Sequence, residues 1–299
     1  MKLTSARIKA GLAAMAVAAA MAVVLPTSPA AAADCAQAWN SSTAYWGGTT
    51  VSYGGHNWSA KWWTQNEIPS TGGSGVWADQ GSCGGGTPTD PNPAGFVVSE
   101  AMFQQMFPNR NSFYTYSGLT AALSSYPAFA NTGSDTVKRR EAAAFLANVN
   151  HETGGLVHIV EQNTDNYPHY CDTSRSYGCP AGQAAYYGRG PIQLSWNYNY
   201  KAAGDALGID LLHNPYLVQN DAAVAWRTAL WYWNTQSGPG TMTGHHAMVN
   251  GHGFGQTIRS INGAMECDGR NPGQVQSRVD AYQRFTRIVG TTPGDNLYC

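Results

Sequence analysis

Residues 135–155 read DTVKRREAAAFLANVNHETGG. Asp135 stands where a helix can open, and Val137, Glu141, Ala142, Phe145, Leu146 and Val149 recur at three- and four-residue spacings. That period belongs to a helix that turns one face toward a core. Phe145, Val149 and Glu152 continue the stripe, spaced by four and then three, so Glu152 ends the apolar face. A carboxyl held there is partly desolvated, the condition under which it keeps its proton. Glu161 follows the apolar Leu156, Val157, Ile159 and Val160 and precedes the polar Gln162-Asn163-Thr164-Asp165, a setting in which a carboxyl stays ionised. One protonated and one ionised carboxyl is the pair that cutting a glycosidic bond requires. Two unrelated glutamates nine residues apart would show the same spacing, so spacing alone leaves both readings open.

Outward from this stretch, residues 95–299 keep a helical pattern. Ser99 can cap a helix that carries Met102, Phe103, Met106 and Phe107 and is stopped by Pro108. Asp221 can cap a Trp-rich helix through Trp233, and Val275, Val279, Tyr282, Phe285 and Ile288 stripe a last one. Strand signals are few, so the expectation is a mainly helical α+β domain. Residues 34–83 differ. They hold six of the ten tryptophans (Trp39, Trp46, Trp58, Trp62, Trp63 and Trp77), more indoles than so short a segment can bury. Runs such as Thr50–Tyr53 read as strands, giving a small all-β module. Cys35 and Cys83 bracket it, as suits a domain too small to rest on its core alone. If Lys61-Trp62-Trp63-Thr64 is a strand, one of its adjacent indoles packs inward and the other stands out. Residues 84–94 (GGGTPTDPNPA) lack apolar periodicity and read as a linker.

Lys2, Arg7 and Lys9 precede an apolar run from Gly11 to Leu25, followed by Pro26, Pro29 and the alanines of 30–33. This is the pattern of a secretory signal peptide over 1–33. A run of about 15 residues is short of the roughly 20 that span a bilayer, so no membrane partner is expected. An even cysteine count in an exported chain suggests disulfides, with Cys35/Cys83, Cys171/Cys179 and Cys267/Cys299 as the neighbour pairing. No Cys-x-x-Cys offers zinc a site. Charged residues are only 12% of the chain, against 34 Gly, 10 Trp and 16 Tyr. Low charge with many aromatics excludes a disordered chain. A formal charge of −1 provides no basic field for nucleic acid. The balance suits an uncharged, ring-shaped ligand, on whose C–H faces an exposed indole can stack.

Two resemblances sharpen this. AWNSSTAYWGGTTVSYGGHNWSAKWWTQNEIP (38–69) resembles the small chitin-binding modules of carbohydrate-binding family 5. It implies Trp62 and Trp63 as a stacking pair, with Tyr53 and Trp77 as contributors. YYGRGPIQLSWNYNY (186–200) resembles the signature of family 19 chitinases, and His151-Glu152-Thr153-Gly154-Gly155 resembles that family's acid motif. Ile261-Asn262-Gly263, Glu266-Cys267 and Ser277-Arg278-Val279 match its C-terminal pattern, so this second resemblance covers 97–299.

The second resemblance implies a lysozyme-like, two-lobed helical domain acting by inversion on β-1,4-linked N-acetylglucosamine. Glu152 would be the general acid, Glu161 the general base, and Ser195 the holder of the attacking water. The substrate-binding set would be His151, Gln193, Tyr198, Asn199, Asn262, Glu266 and Arg278, with Glu266 and Arg278 paired beside the acid. His151-Glu152 opens like a zinc motif, but Gly155 stands where the second histidine belongs, and no metal or cofactor is expected. His245, His246 and His252 are the alternative ligands weighed for zinc. The expected protein is a secreted monomeric endochitinase acting on chitin and chitooligosaccharides. A catalytically silent chitin-binding lectin and a muramidase are the competing readings.

Overall fold

The computed structural model describes residues 34–37, 39, 43–53, 56–69, 74–83 and 96–299. The expected signal peptide and linker lie outside the described residues. Within 34–83 the strands are β1 (Ala44–Tyr45), β2 (Thr50–Tyr53), β3 (His56–Ala60), β4 (Thr64–Gln65) and β5 (Trp77–Ser82). β1 pairs with β4, and β2-β3-β5 form a second sheet, all antiparallel. Register sets Val51 opposite Trp58 and Ala60 opposite Trp77, so the core is Tyr45, Val51, Trp58, Ala60, Val76 and Trp77. Cys35–Cys83 spans a separation of 48 residues. Closing a loop of that length removes about 4 kcal/mol of chain entropy from the unfolded state.

Residues 96–299 are helical: α1 (Glu100–Met106), α2 (Tyr116–Ala122), α3 (Asp135–Thr153), α4 (Asn197–Leu207), α5 (Leu217–Asn220), α6 (Ala222–Thr235), α7 (Gly244–Val249), α8 (Phe254–Glu266) and α9 (Pro272–Ile288). The caps follow hydrogen-bond chemistry. Ser99, Ser134, Asp221 and Asn271 each accept from the backbone N–H three residues on. Asp135 is therefore the first residue of α3 rather than its cap, where its charge still favours the positive helix end. Gly154 in the left-handed region ends α3. Cys171–Cys179 and Cys267–Cys299 complete the neighbour pairing.

The stripe read along α3 is only part of what it buries. Every residue from Glu141 to Val149 is inaccessible, because α7, α8 and α9 all pack on this helix and its alanines let them approach. Glu141 thus lies in the core. Its Oε1 accepts from Trp233 Nε1 at 3.0 Å and lies 2.7 Å from His245 Nδ1, and its Oε2 accepts from Ala130 N at 2.9 Å. His246 and His252 stack on each other, and among the described residues no group of three His, Cys, Asp or Glu is placed to hold a metal. Among the same residues no helix is long and apolar enough to cross a membrane.

The hydrogen bond to Glu141 outweighs burial and raises the pKa of His245 above its usual value. A group raised on folding stabilises fully below its unfolded pKa and ceases to do so as pH rises through the folded one. The melting-temperature gap between wild type and His245→Gln is therefore expected to be widest near about pH 5.5 and to close by about pH 9. Thermal scans across that range check it, and a gap independent of pH would contradict it.

Candidate active site

α3 delivers Glu152 in its last turn, and α9 brings Arg278 to meet it. The Arg278 guanidinium is buried and multiply held. Its Nε donates to Glu266 Oε2 at 2.8 Å, and its Nη1 to Asn148 Oδ1 at 3.1 Å. Its Nη2 serves both Glu266 Oε1, at 2.7 Å, and Glu152 Oε1. Asn262 Nδ2 fixes Glu266 Oε1 from α8 at 2.8 Å. Burial alone would raise the Glu266 carboxyl, but Arg278 and Asn262 outweigh it and hold the group below its usual value. Burial likewise opposes the charge on Arg278, and its two carboxylate partners more than restore it. Glu266 thereby neutralises Arg278, which is left to orient Glu152.

Glu161 lines the same cleft as Glu152 and is carried on an extended segment. Val160 and Arg189 form a β-bridge, and Glu161 N donates to Gly188 O at 2.9 Å. The 3-10 turn Thr164–Tyr170 folds back over it. Asn166 Nδ2 and Tyr170 Oη donate to Glu161 Oε1 at 2.7 and 3.1 Å, while Oε2 has no protein partner. Burial, then Glu161 itself, pushes the Tyr170 hydroxyl up to about 12, so it remains a donor.

Ser195 lies between two strained residues, Gln193 at φ 51° and Trp196 at φ 76°, both in a region that favours glycine. The surroundings over-determine them. Trp196 N donates to Tyr186 O, and Gln193 Nε2 to Gly190 O at 3.0 Å. The next residue, Asn197, fastens the Cys171–Cys179 loop through three hydrogen bonds to Asp172 and Gly178. From that loop Arg175 reaches over Tyr198, whose ring stacks with Trp196.

Glu152, Glu161, Gln193, Ser195, Tyr198, Asn199 and Asn262 line one open cleft of about 840 Å³. Of the expected substrate-binding set, His151, Glu266 and Arg278 do not line it. Glu266 and Arg278 are sealed beneath Glu152. His151 turns toward α9, its Nδ1 3.1 Å from Ser277 Oγ, and burial followed by the charge of Arg278 lowers its pKa. Sequence reading missed Asn166 and Tyr170, which hold Glu161, and Tyr232 on the cleft wall. None of the three lies in a motif, and only the fold back from Glu161 brings the first two near.

In the small domain, residues 61–63 leave the ladder between β3 and β4, so strand alternation does not apply and both Trp62 and Trp63 are exposed, at 53% and 49%. Trp46, at 67%, joins them edge-on to Trp63 with ring centres 6.4 Å apart. Trp77 belongs to the core instead, 4% exposed with its Nε1 donating to Glu67 O. Tyr53 is half-buried against the edge of Trp39.

Residues 97–299 match the family described as chitinase class I, and residues 38–78 match carbohydrate-binding module family 5/12. The chain belongs to glycoside hydrolase family 19, the class I chitinases, and carries a module of that binding family at its N-terminal side. It is similar to the crystal structure of chitinase C from Streptomyces griseus, at 71% identity and TM-score 0.68, over 89% of this chain and 100% of that one. A class IV family 19 chitinase from Zea mays matches at 42% identity and TM-score 0.60, over 68% of this chain and 98% of that one. Endochitinase B of Zea mays is 48% identical over 63% of this chain, which spans 63% of that protein's length. These neighbours agree with a helix-rich, lysozyme-like fold.

Arg278→Met strands the Glu266 carboxylate in the core, and removing one partner of a buried pair costs about 3–5 kcal/mol. Urea unfolding should show that loss. Adding Glu266→Gln should recover part of it, since contacting groups are not additive.

Proposed function

We propose that this chain hydrolyses internal β-1,4 bonds of chitin by direct displacement with inversion. The observation that carries this reading is the placement of Glu152 and Glu161 in one cleft, each held in a different way. Glu152 donates its proton to the leaving glycosidic oxygen while Arg278, already neutralised by Glu266, keeps the carboxyl aimed. Glu161 lines the cleft with its Oε1 oriented by Asn166 and Tyr170, a placement from which a carboxylate can accept a proton from water. Ser195 holds that water with it. Gln193, Tyr198, Asn199 and Asn262 supply hydrogen bonds to the N-acetylated sugars. An inverting pair leaves roughly 6.5–9.5 Å between the carboxyl groups, room for one water.

In the module, Trp62 and Trp63 with their neighbour Trp46 present apolar faces for the rings of insoluble chitin. Tethering such a surface to the hydrolase raises the local concentration of substrate. The three disulfides fit an extracellular enzyme, and one chain carries the whole cleft, in keeping with a monomer.

Incubation with chitin hexamer should give new reducing ends initially in the α-anomer, read by NMR; an initial β-anomer would remove the inverting role of Glu161. Glu152→Gln and Glu161→Gln should each lower kcat by about 100-fold or more, as loss of a general acid or base does. Trp62→Ala with Trp63→Ala should weaken adsorption to insoluble chitin several-fold while hexamer turnover stays at wild-type level. An equal loss on both substrates would count against the tether.

A further inference from the structure

Arg189 is fully buried, yet it takes part in none of the ion pairs among the described residues. Its Nε donates to Gln219 Oε1 at 2.6 Å, and its Nη1 to Ala185 O and Tyr200 Oη, each at 2.7 Å. The charge rests on rings instead. Its Cζ lies 3.6 Å from the centre of the Tyr187 ring and 4.9 Å from that of Tyr216. Burying a cation without a carboxylate is costly, so its place needs a reason.

The other partner of Tyr187 supplies one. Tyr167 stacks on it with centres 3.6 Å apart and planes 10° from parallel. Two groups cannot both sit 3.6 Å from one ring centre on the same face, so the layers run Arg189, Tyr187, Tyr167. Two electron-rich rings placed face to face are disfavoured by their quadrupoles. A cation on the far face of the middle ring relieves that repulsion.

Tyr167 is the centre of the turn that folds over Glu161. Its hydroxyl donates to Glu161 O at 2.9 Å, and its turn neighbours Asn166 and Tyr170 donate to Glu161 Oε1. On the other side, the backbone of 188–190 pairs with Glu161 N and Ile159 O. Glu161 is thus gripped between the Arg189 segment and a turn that the same arginine docks.

We propose that Arg189, acting through Tyr187 and Tyr167, is a positioning residue that closes this clamp and sets the direction of the Glu161 carboxylate in the hydrolytic step. The proposal rests on Glu161 being the general base.

The test is kcat and KM on soluble chitin hexamer. Tyr167 is partly exposed, so Tyr167→Leu should fold with a melting temperature near wild type. It should lower kcat about 10- to 100-fold, the cost of misplacing a catalytic group, with KM changed less than about twofold. Tyr167→Phe, which keeps the stack, should restore most of the rate. In a Glu161→Ala background, Tyr167→Leu should cost nothing more, and Arg189→Lys should likewise add nothing to Tyr167→Leu. An unchanged kcat in Tyr167→Leu, or the same loss with and without Glu161, would overturn the clamp. Wild-type turnover in Glu161→Ala would overturn the reading of the base itself, a separate and visible result.

Discussion

A single buried guanidinium sets the terms for the rest of the catalytic domain. Taking Arg278 out of water costs several kcal/mol, and that cost is offset only when its donors meet oxygen in good geometry. The oxygens come from Glu152 and Asn148 on α3 and from Glu266 on α8, while the arginine itself rides on α9. Asn148 is in turn fixed by Ala144 O and by Thr257 Oγ1 from α8. Three helices therefore cannot shift against one another without stranding a charge. The position of Glu152 is a consequence of core packing, and the same network that stabilises the domain aims the carboxyl.

The part of the cleft that carries Glu161 is built on a different principle. Glu161 sits on extended chain whose backbone pairs with 188–190, and its carboxylate is held by the neutral donors Asn166 and Tyr170. The amide of Asn166 and the phenol of Tyr170 orient that carboxylate from the turn. One carboxyl is thus held by a shared cation and the other by amide and phenol.

Much of this was legible in the sequence, for local reasons. Helix caps at Ser99 and Asp221, the strand Thr50–Tyr53 and the neighbour disulfides all depend on residues close in the chain or on compartment chemistry. The apolar period along α3 placed Glu152 correctly at its end, but it could not show that Ala142–Ala144 are as buried as Phe145. Alanine carries little pattern, and burial on every side arises only when three helices converge. The adjacent Trp62 and Trp63 misled a strand reading because β3 ends at Ala60 and the bend that follows releases both from alternation. Trp77 looked as available as its neighbours until register set it opposite Ala60 in the core. Asn166 and Tyr170 had no signal at all, since their role exists only once the turn closes on Glu161.

The scarcity of charge can now be given a physical meaning. A chain with only 12% charged residues still buries Glu141, Arg189, Glu266 and Arg278 almost completely. Each is held by several hydrogen bonds, and each joins segments distant in sequence: Glu141 reaches Trp233 and His245, Arg189 reaches Gln219, and Arg278 reaches Asn148 and Glu152. Substituting apolar groups of similar volume would often preserve stability, so stability alone does not account for them. What the buried charges contribute is direction. Glu152 takes its direction from such a group, because Arg278 donates to it from the core. A buried, multiply bonded cation fixes the angle of the carboxyl it donates to, where apolar packing, which has no preferred angle, would leave that carboxyl free to turn.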